Sequence, residues 1–308
     1  MPLLPDADPV TLRQWYPLGM EEDVTTDGIV TLLLGEEIAL SRAPDGTIRA
    51  MWGDRPLTAL LRYGYVWTSF LSDGTGHDLV PVIEEAMEDD RRLVCCGSVM
   101  VRASALRVVE NFLDMAHFPF VHTDILGAEP RTEVERYSVE TRKDGQEIWA
   151  VECRFFQPQA ALSADGGLMV DYIYRIASPF STLLYKTCPE QPGRKDVIAL
   201  FVQPMTQETC RAHPVMFLLD GNSDRDALVA FQQMIFLQDR TILENHRPEA
   251  MPLDSSSEIS TLSDRSSVAY RRWLRAQGVT FGASRPEHRD RGDMIGASRP
   301  ARHDGRGA

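Results

Sequence analysis

Several things are missing from this chain, and each absence narrows what it can be. There is no run of about eighteen apolar residues, so no helix can be expected to span a bilayer. The opening MPLLPDADPVTLRQW lacks the basic start and apolar stretch of a secretory signal, which predicts a cytoplasmic protein. Positive charge is short, with 32 Lys and Arg against 45 Asp and Glu and a formal net charge of −13. Nucleic acids and anionic membranes demand a cationic face, so neither is an expected partner. Cysteine is sparse and odd in number. Cys95, Cys96, Cys153, Cys188 and Cys210 are scattered apart from one adjacent pair, which points to reduced thiols rather than a disulfide framework. What is present is ordinary for a core-forming protein: 308 residues, 43% of them hydrophobic, are enough for one large domain or two smaller ones.

Short alternating runs (IVTLLLG, EIALSRA, TIRAMWG, YGYVWTSF) with Asp45-Gly46 between two of them predict a small antiparallel sheet with a hairpin in the first hundred residues. From about Ala103 the period changes to that of a helix, expected to reach Phe118, where Pro119 ends or kinks it. Five more strand-like runs follow: EIWAVECRFFQ, LMVDYIYRIAS, STLLYKTC, DVIALFVQP and TCRAHPVMFLL. They predict a second, larger antiparallel sheet. Ser223 with Asp226 resembles a capping box, opening a helix whose apolar stripe is Leu228, Phe231, Ile235 and Ile242 and which runs to about Asn245. A last helix is expected over Asp264 to Gln277, with Gly278 as its stop. The fold class is therefore α+β. From Gly282 the chain turns polar and Gly- and Arg-rich and repeats GASRP, which predicts a disordered tail over 282–308.

The chemistry concentrates in ENFLDMAHFPFVHTDILG, residues 110 to 127. Asn111, Asp114 and His117 are spaced three apart and drift across one helical face. His122, five past His117, would lie about 140° away on a continuous helix. A break at Pro119 would swing both imidazoles onto one ion. Two His and one carboxylate leave open positions on Fe(II) for oxygen and substrate. Asp239 is the candidate third ligand, because it lies on the buried stripe of its helix, where an unpaired carboxylate is costly. The alternative is an ordinary salt bridge to Arg240 or Arg247. Asn111 and Asp114 are either surface polar residues or groups that orient the ligands.

ENFLDMAHFPFVH resembles the N-x-x-D-x-x-H-x-x-x-x-H signature of the catalytic subunit of Rieske non-heme iron oxygenases, and FLQDRTILENHRP resembles the segment carrying their carboxylate ligand. WYPLGMEEDV, LLLGEEIALSRAPDGTIRAM and YGYVWTSF resemble strands of the family's Rieske domain. The resemblance implies iron held by His117, His122 and Asp239, an electron-transfer role for Asp114 with Asn111 beside it, and a helix-grip catalytic domain over 101–281. It also implies a degenerate Rieske-like β-domain over 1–100. Where the family has its Cys-x-His and Cys-x-x-His loops, this chain passes from Ala50-Met51-Trp52 to Arg55-Pro56-Leu57 without a Cys or a His. Adjacent Cys95 and Cys96, inside a strand-like run, are no replacement.

HFPFVHTDILGAEP, FFQPQAA, LLYKT, LFVQP and SVAYRRWL resemble a branch of the family that has lost its own cluster and removes the N7-methyl group of methylxanthines. That resemblance implies Fe(II) and O2 as cofactors, no iron–sulfur cluster in the chain, and NAD(P)H used only indirectly, through a separate Rieske-bearing reductase. The substrate would be a small N-methylated heterocycle, and the assembly a trimer-based homo- or hetero-oligomer. The methyl would be hydroxylated and the carbinolamine would collapse to amine and formaldehyde. Gln232, Gln233, Phe236 and Gln238 are the expected pocket residues. Two alternatives remain: a cluster-less oxygenase for another N-methyl, O-methyl or aromatic substrate, and a non-catalytic structural or ligand-binding subunit.

Overall fold

Strand-period patterning in the first third of the chain builds two small antiparallel sheets. The computed structural model describes residues 7–71, 80–164, 166–191, 193–254 and 257–284, so most of the expected tail lies outside the described residues. After the short helix α1 (Pro9–Arg13), strands β1 (Tyr16–Met20), β2 (Ile29–Leu33), β3 (Glu36–Arg42), β4 (Ile48–Trp52), β5 (Arg55–Leu57), β6 (Leu60–Arg62) and β7 (Tyr65–Thr68) follow. They pair as a three-stranded sheet β1-β7-β6 and a four-stranded sheet β2-β3-β4-β5. The hairpin between β3 and β4 turns at Asp45-Gly46, where the Asp45 carboxylate accepts the Thr47 N–H at 3.0 Å.

Next come β8 (Arg92–Cys95), β9 (Val99–Val101), α2 (Ala105–Phe112) and the single turn α3 (Phe118–Val121). Six strands then fill the large sheet: β10 (Ser138–Arg142), β11 (Glu147–Gln157), β12 (Leu168–Ser178), β13 (Ser181–Thr187), β14 (Lys195–Pro204) and β15 (Cys210–Leu218) extend it as a meander, five of them on the runs expected to be strands. Its order is β10-β11-β12-β13-β14-β15-β8, with β9 also paired to β15. The sheet therefore recruits β8, so its first strand lies N-terminal to residue 100. Leu34 and Gly35 donate backbone N–H groups to Pro204 and Met205, and the Tyr65 hydroxyl donates to Gly97 and Pro214, which ties the small sheets to the large one.

The helices depart from expectation in instructive ways. The helix expected to run to Phe118 stops at Phe112, because Asp114 Oδ1 takes the Ala116 N–H at 2.8 Å and offers the backbone a local turn instead of another helical bond. Pro119 begins a turn rather than ending one; in a first turn its missing N–H has no helical partner to lose. The long helix α4 (Arg225–Leu243) is capped by Asp224, whose carboxylate accepts from Asp226 and Ala227, and not by Ser223. Its buried residues are Leu228, Phe236 and Leu243, while Ile242 is exposed. α5 (Arg265–Gln277) stops where Gly278 takes φ 82°, a left-handed conformation that a side chain would oppose. The core lies between α2 and β13–β15, filled by Leu106, Val109, Leu184, Leu200, Val202 and Ala212. No helix among the described residues is long and apolar enough to cross a membrane.

Candidate metal centre

The break after α2 is what assembles the site. Leu113 ends the helix and the Asp114 turn redirects the chain. His117 to His122 then make one helical turn of their own, with the Val121 N–H donating to the His117 carbonyl at 2.8 Å and the His122 N–H to that of Phe118 at 3.0 Å. Pro119 does not interrupt the chain between the two histidines, as the sequence had suggested; the interruption precedes them. The loop returns against this turn at Gly127, where a Cβ would sit 2.7 Å from the Pro119 nitrogen. That close approach needs glycine.

α4 crosses the turn and delivers Asp239. His117 Nε2 stands 3.2 Å from His122 Nε2, and Asp239 Oδ1 lies 3.3 Å from the first and 3.0 Å from the second. One donor atom from each residue falls within 4.8 Å of the others, and His122 is fully buried. The remaining ring nitrogens are held from behind. Asp114 Oδ2 is 2.9 Å from His117 Nδ1, and Gln238 Oε1 is 2.8 Å from His122 Nδ1. Those acceptors favour a proton on each Nδ1, so that in the neutral imidazoles a metal requires, both Nε2 lone pairs would face inward. Asn111 Nδ2 donates to Asp239 Oδ1 at 3.2 Å.

Burial alone would push the His117 imidazole down, but the Asp114 and Asp239 carboxylates raise it to about 9. Burial would likewise raise both carboxyls, and the histidine contacts hold them low instead. Two ionised carboxylates around two imidazoles attract positive charge, and in the protein alone a proton on His117 supplies it. The salt-bridge alternative for Asp239 does not occur: Arg240 pairs with Glu244 and Arg247 with Glu249.

Asn111, His117 and Asp239 border two cavities. One is largely apolar and runs between α4 and the face of the large sheet. The other is charged, with Asp114 and an ion-pair network of Arg107, Glu110, Glu258 and Arg271. Of the expected pocket residues, Gln232 and Phe236 line the apolar cavity. Gln233 does not; it donates to the Cys96 carbonyl at 2.8 Å. Gln238 does not either, being engaged with His122. The sequence reading missed Lys186, Asp196, Tyr172 and Tyr174 on the cavity wall, although Lys186 shares strand parity with Leu184 in LLYKT.

The cysteines hold no cation site among the described residues. Burial pushes the Cys96 thiol up to about 12 and that of Cys95 up to about 11, away from the thiolate a metal needs. A Cys-x-x-His spacing does occur at Cys210 and His213, which the sequence reading passed over. Three residues apart on β15, they point to opposite faces, and His213 is taken up by Ser98 at 2.8 Å and Gln203 at 3.2 Å.

Residues 101–278 match the family model "Vanillate O-demethylase oxygenase C-terminal domain". The chain is 48% identical over 277 residues to the probable methylxanthine N7-demethylase NdmC of Pseudomonas sp. (strain TJI-51), covering 89% of this chain and 97% of that protein. It is 24% identical to the methylxanthine N3-demethylase NdmB of Pseudomonas putida over 75% of this chain, but spans only 62% of that longer protein. Among solved structures, NdmA of Pseudomonas putida CBB5 with caffeine superposes with a TM-score of 0.70 at 18% identity, over 86% of this chain and 90% of that one.

Proposed function

Because the chain belongs to the Rieske non-heme iron oxygenase family, through its vanillate O-demethylase oxygenase C-terminal domain, we propose that it is the oxygenase component that removes the 7-methyl group of a methylxanthine. The observation that carries this reading is the convergence of His117, His122 and Asp239 at the wall of an apolar cavity, in a chain 48% identical to a probable N7-demethylase.

The residues fit Fe(II). Two neutral imidazole nitrogens and one carboxylate oxygen form the donor set of a non-heme iron site, and each ligand is oriented by a partner behind it. When bound, iron supplies the redox chemistry that activates dioxygen. The chain's own residues do the rest. Asp114 and Gln238 fix the imidazole tautomers, Asn111 holds the carboxylate, and the apolar walls of α4 and the sheet exclude water and hold the methyl group towards the centre. The overall conversion takes the N-methyl compound, O2, two electrons and two protons to the N–H compound, formaldehyde and water. No protein nucleophile is needed.

Electrons come from outside. The strands that would carry a cluster have neither Cys nor His between Ala50 and Leu57, so a Rieske-bearing reductase, itself reduced by NAD(P)H, is the proposed donor. Asp114 connects His117 to the charged cavity and is the proposed entry point. In this reading the two small sheets are a remnant Rieske-like β-domain, and the large sheet with its helices is a helix-grip domain in a trimer-based assembly. A non-catalytic role is disfavoured, since a purely structural subunit has no need of this donor set.

The test is turnover of anaerobically Fe(II)-loaded protein with 7-methylxanthine, scored as formaldehyde, using a Rieske-containing reductase and, in parallel, a reductase without such a cluster. Formaldehyde with the Rieske donor alone is the expected result. Turnover of O-methyl aromatics in place of 7-methylxanthine would replace the substrate class.

A further inference from the structure

The apolar cavity has a polar row built into its sheet wall, and no step described so far uses it. Lys186 on β13 stands directly across from Tyr172 on β12 and from Asp196 on β14, so the three side chains form a line over three adjacent strands. All three line the cavity and all three are buried. An ammonium has three N–H donors. Gln157 Oε1 at 3.2 Å and the Ala160 carbonyl at 2.5 Å accept two of those of Lys186, and neither acceptor is a charge. Asp196 uses Oδ1 to accept the Leu219 N–H at 2.9 Å, and its carboxylate also accepts from the Cys188 thiol, which leaves it further acceptor capacity. The Tyr172 hydroxyl has no hydrogen-bond partner among the described residues, and neither does that of Tyr174 beside it.

Buried polar groups left without partners are expensive, and so is a buried ammonium whose hydrogen-bond acceptors are all neutral. Burial pushes the Lys186 amine down to about 8 and raises the Asp196 carboxyl, and the attraction between the two charges offsets only part of either effect. A structural lysine would gain most by pairing with the aspartate opposite; Lys186 instead bonds Gln157 and Ala160. The row thus offers a ligand one strong donor, one acceptor and a hydroxyl side by side.

We propose that the Tyr172–Lys186–Asp196 row reads an edge with adjacent ring carbonyl and ring N–H, the edge of a cyclic imide or ureide, and thereby selects oxo-heterocycles over flat apolar rings. Lys186 donates to the carbonyl oxygen and Asp196 accepts from the N–H. This inference rests on the oxygenase reading for its substrate, while the residues that carry it touch none of the iron ligands.

Equilibrium binding by anaerobic calorimetry on the Fe(II)-loaded full chain tests it without turnover. The probes are 7-methylxanthine, its 1,3,7-trimethyl counterpart, which keeps the carbonyls but has no ring N–H, and 1-methylindole, which has neither. Lys186→Met should weaken both xanthines by roughly ten- to a hundredfold and leave 1-methylindole unchanged, since bonds to charged groups are worth that much. Asp196→Asn should erase the preference for 7-methylxanthine over the trimethyl compound, because the Leu219 N–H holds the amide oxygen and turns the NH2 donor into the cavity. Circular dichroism and iron content check that each variant is folded. Equal weakening of all three probes would make Lys186 merely structural and overturn the proposal, as would wild-type affinities in Lys186→Met. Formaldehyde from 7-methylxanthine with unchanged discrimination in both variants rejects the row and keeps the demethylase. Lost discrimination without formaldehyde in the wild type keeps the row and rejects the demethylase.

Discussion

The two cavities that meet at Asn111, His117 and Asp239 differ in almost every physical respect. On one side Phe118, Leu200, Met216 and Phe236 belong to a largely apolar chamber whose polar lining includes Gln157, Lys186, Asp196 and Gln232. On the other, Arg107, Glu110, Glu258 and Arg271 make a charged chamber whose ions are already paired with one another. An apolar chamber strengthens each polar interaction made inside it and disfavours water at a reactive centre. A charged one suits contact with a polar protein partner. In the proposed reading, substrate binding and electron supply are separated by the thickness of one metal site, a division open to direct attack.

Removing the shared wall is the harshest test. His117→Ala or Asp239→Ala should eliminate iron binding and all turnover, measured by metal analysis after anaerobic loading. A change on the charged side should act differently. Asp114→Asn should retain iron and substrate affinity yet lower turnover by about a hundredfold, near the upper range for loss of a ligand's orienting partner. Equal turnover in that variant would remove Asp114 from the electron route. Gln238→Leu, behind the buried histidine, should weaken iron binding by about tenfold while leaving ligand discrimination alone, seen by competition with a chelator.

The smallest effect is on stability in the metal-free protein. His117 is raised to about 9 in the fold, so its protonated form stabilises the native state fully below the ordinary histidine range near 6.5 and loses that contribution as pH rises through about 9. The melting temperature of the apoprotein should therefore fall across this interval. Loading iron, which takes the place of that proton, should flatten the curve.

Much of this architecture could be read before any coordinates. The runs EIWAVECRFFQ and LMVDYIYRIAS coincide with β11 and β12 end to end, because both alternate through a half-buried sheet and are bounded by loop residues. The triad His117, His122 and Asp239 was also legible, since a recurring motif holds its spacing. What escaped depended on local competition or on neighbours distant in sequence. Asp114 ends α2 through its own side chain, a second use of a residue singled out for its charge. Ser223 and Asp224 are both good caps, but the Ser223 backbone is held by Asp220 and Arg92, and the Asp224 carboxylate meets the first N–H groups of α4. Gln232 and Gln233 differ by about 100° around α4, so which of them meets the cavity follows from how that helix packs. Lys186 looked like one polar residue in a strand. Its meaning arises only when Tyr172 and Asp196 come into register beside it.

The central claim is the three-residue iron site, and its most direct test is iron stoichiometry after anaerobic loading and desalting, compared among the wild type, Asp239→Ala and Lys186→Met. The account predicts about one iron per chain in the wild type and in Lys186→Met, and none in Asp239→Ala. Iron retained in full by Asp239→Ala, or absent from the wild type, would contradict it.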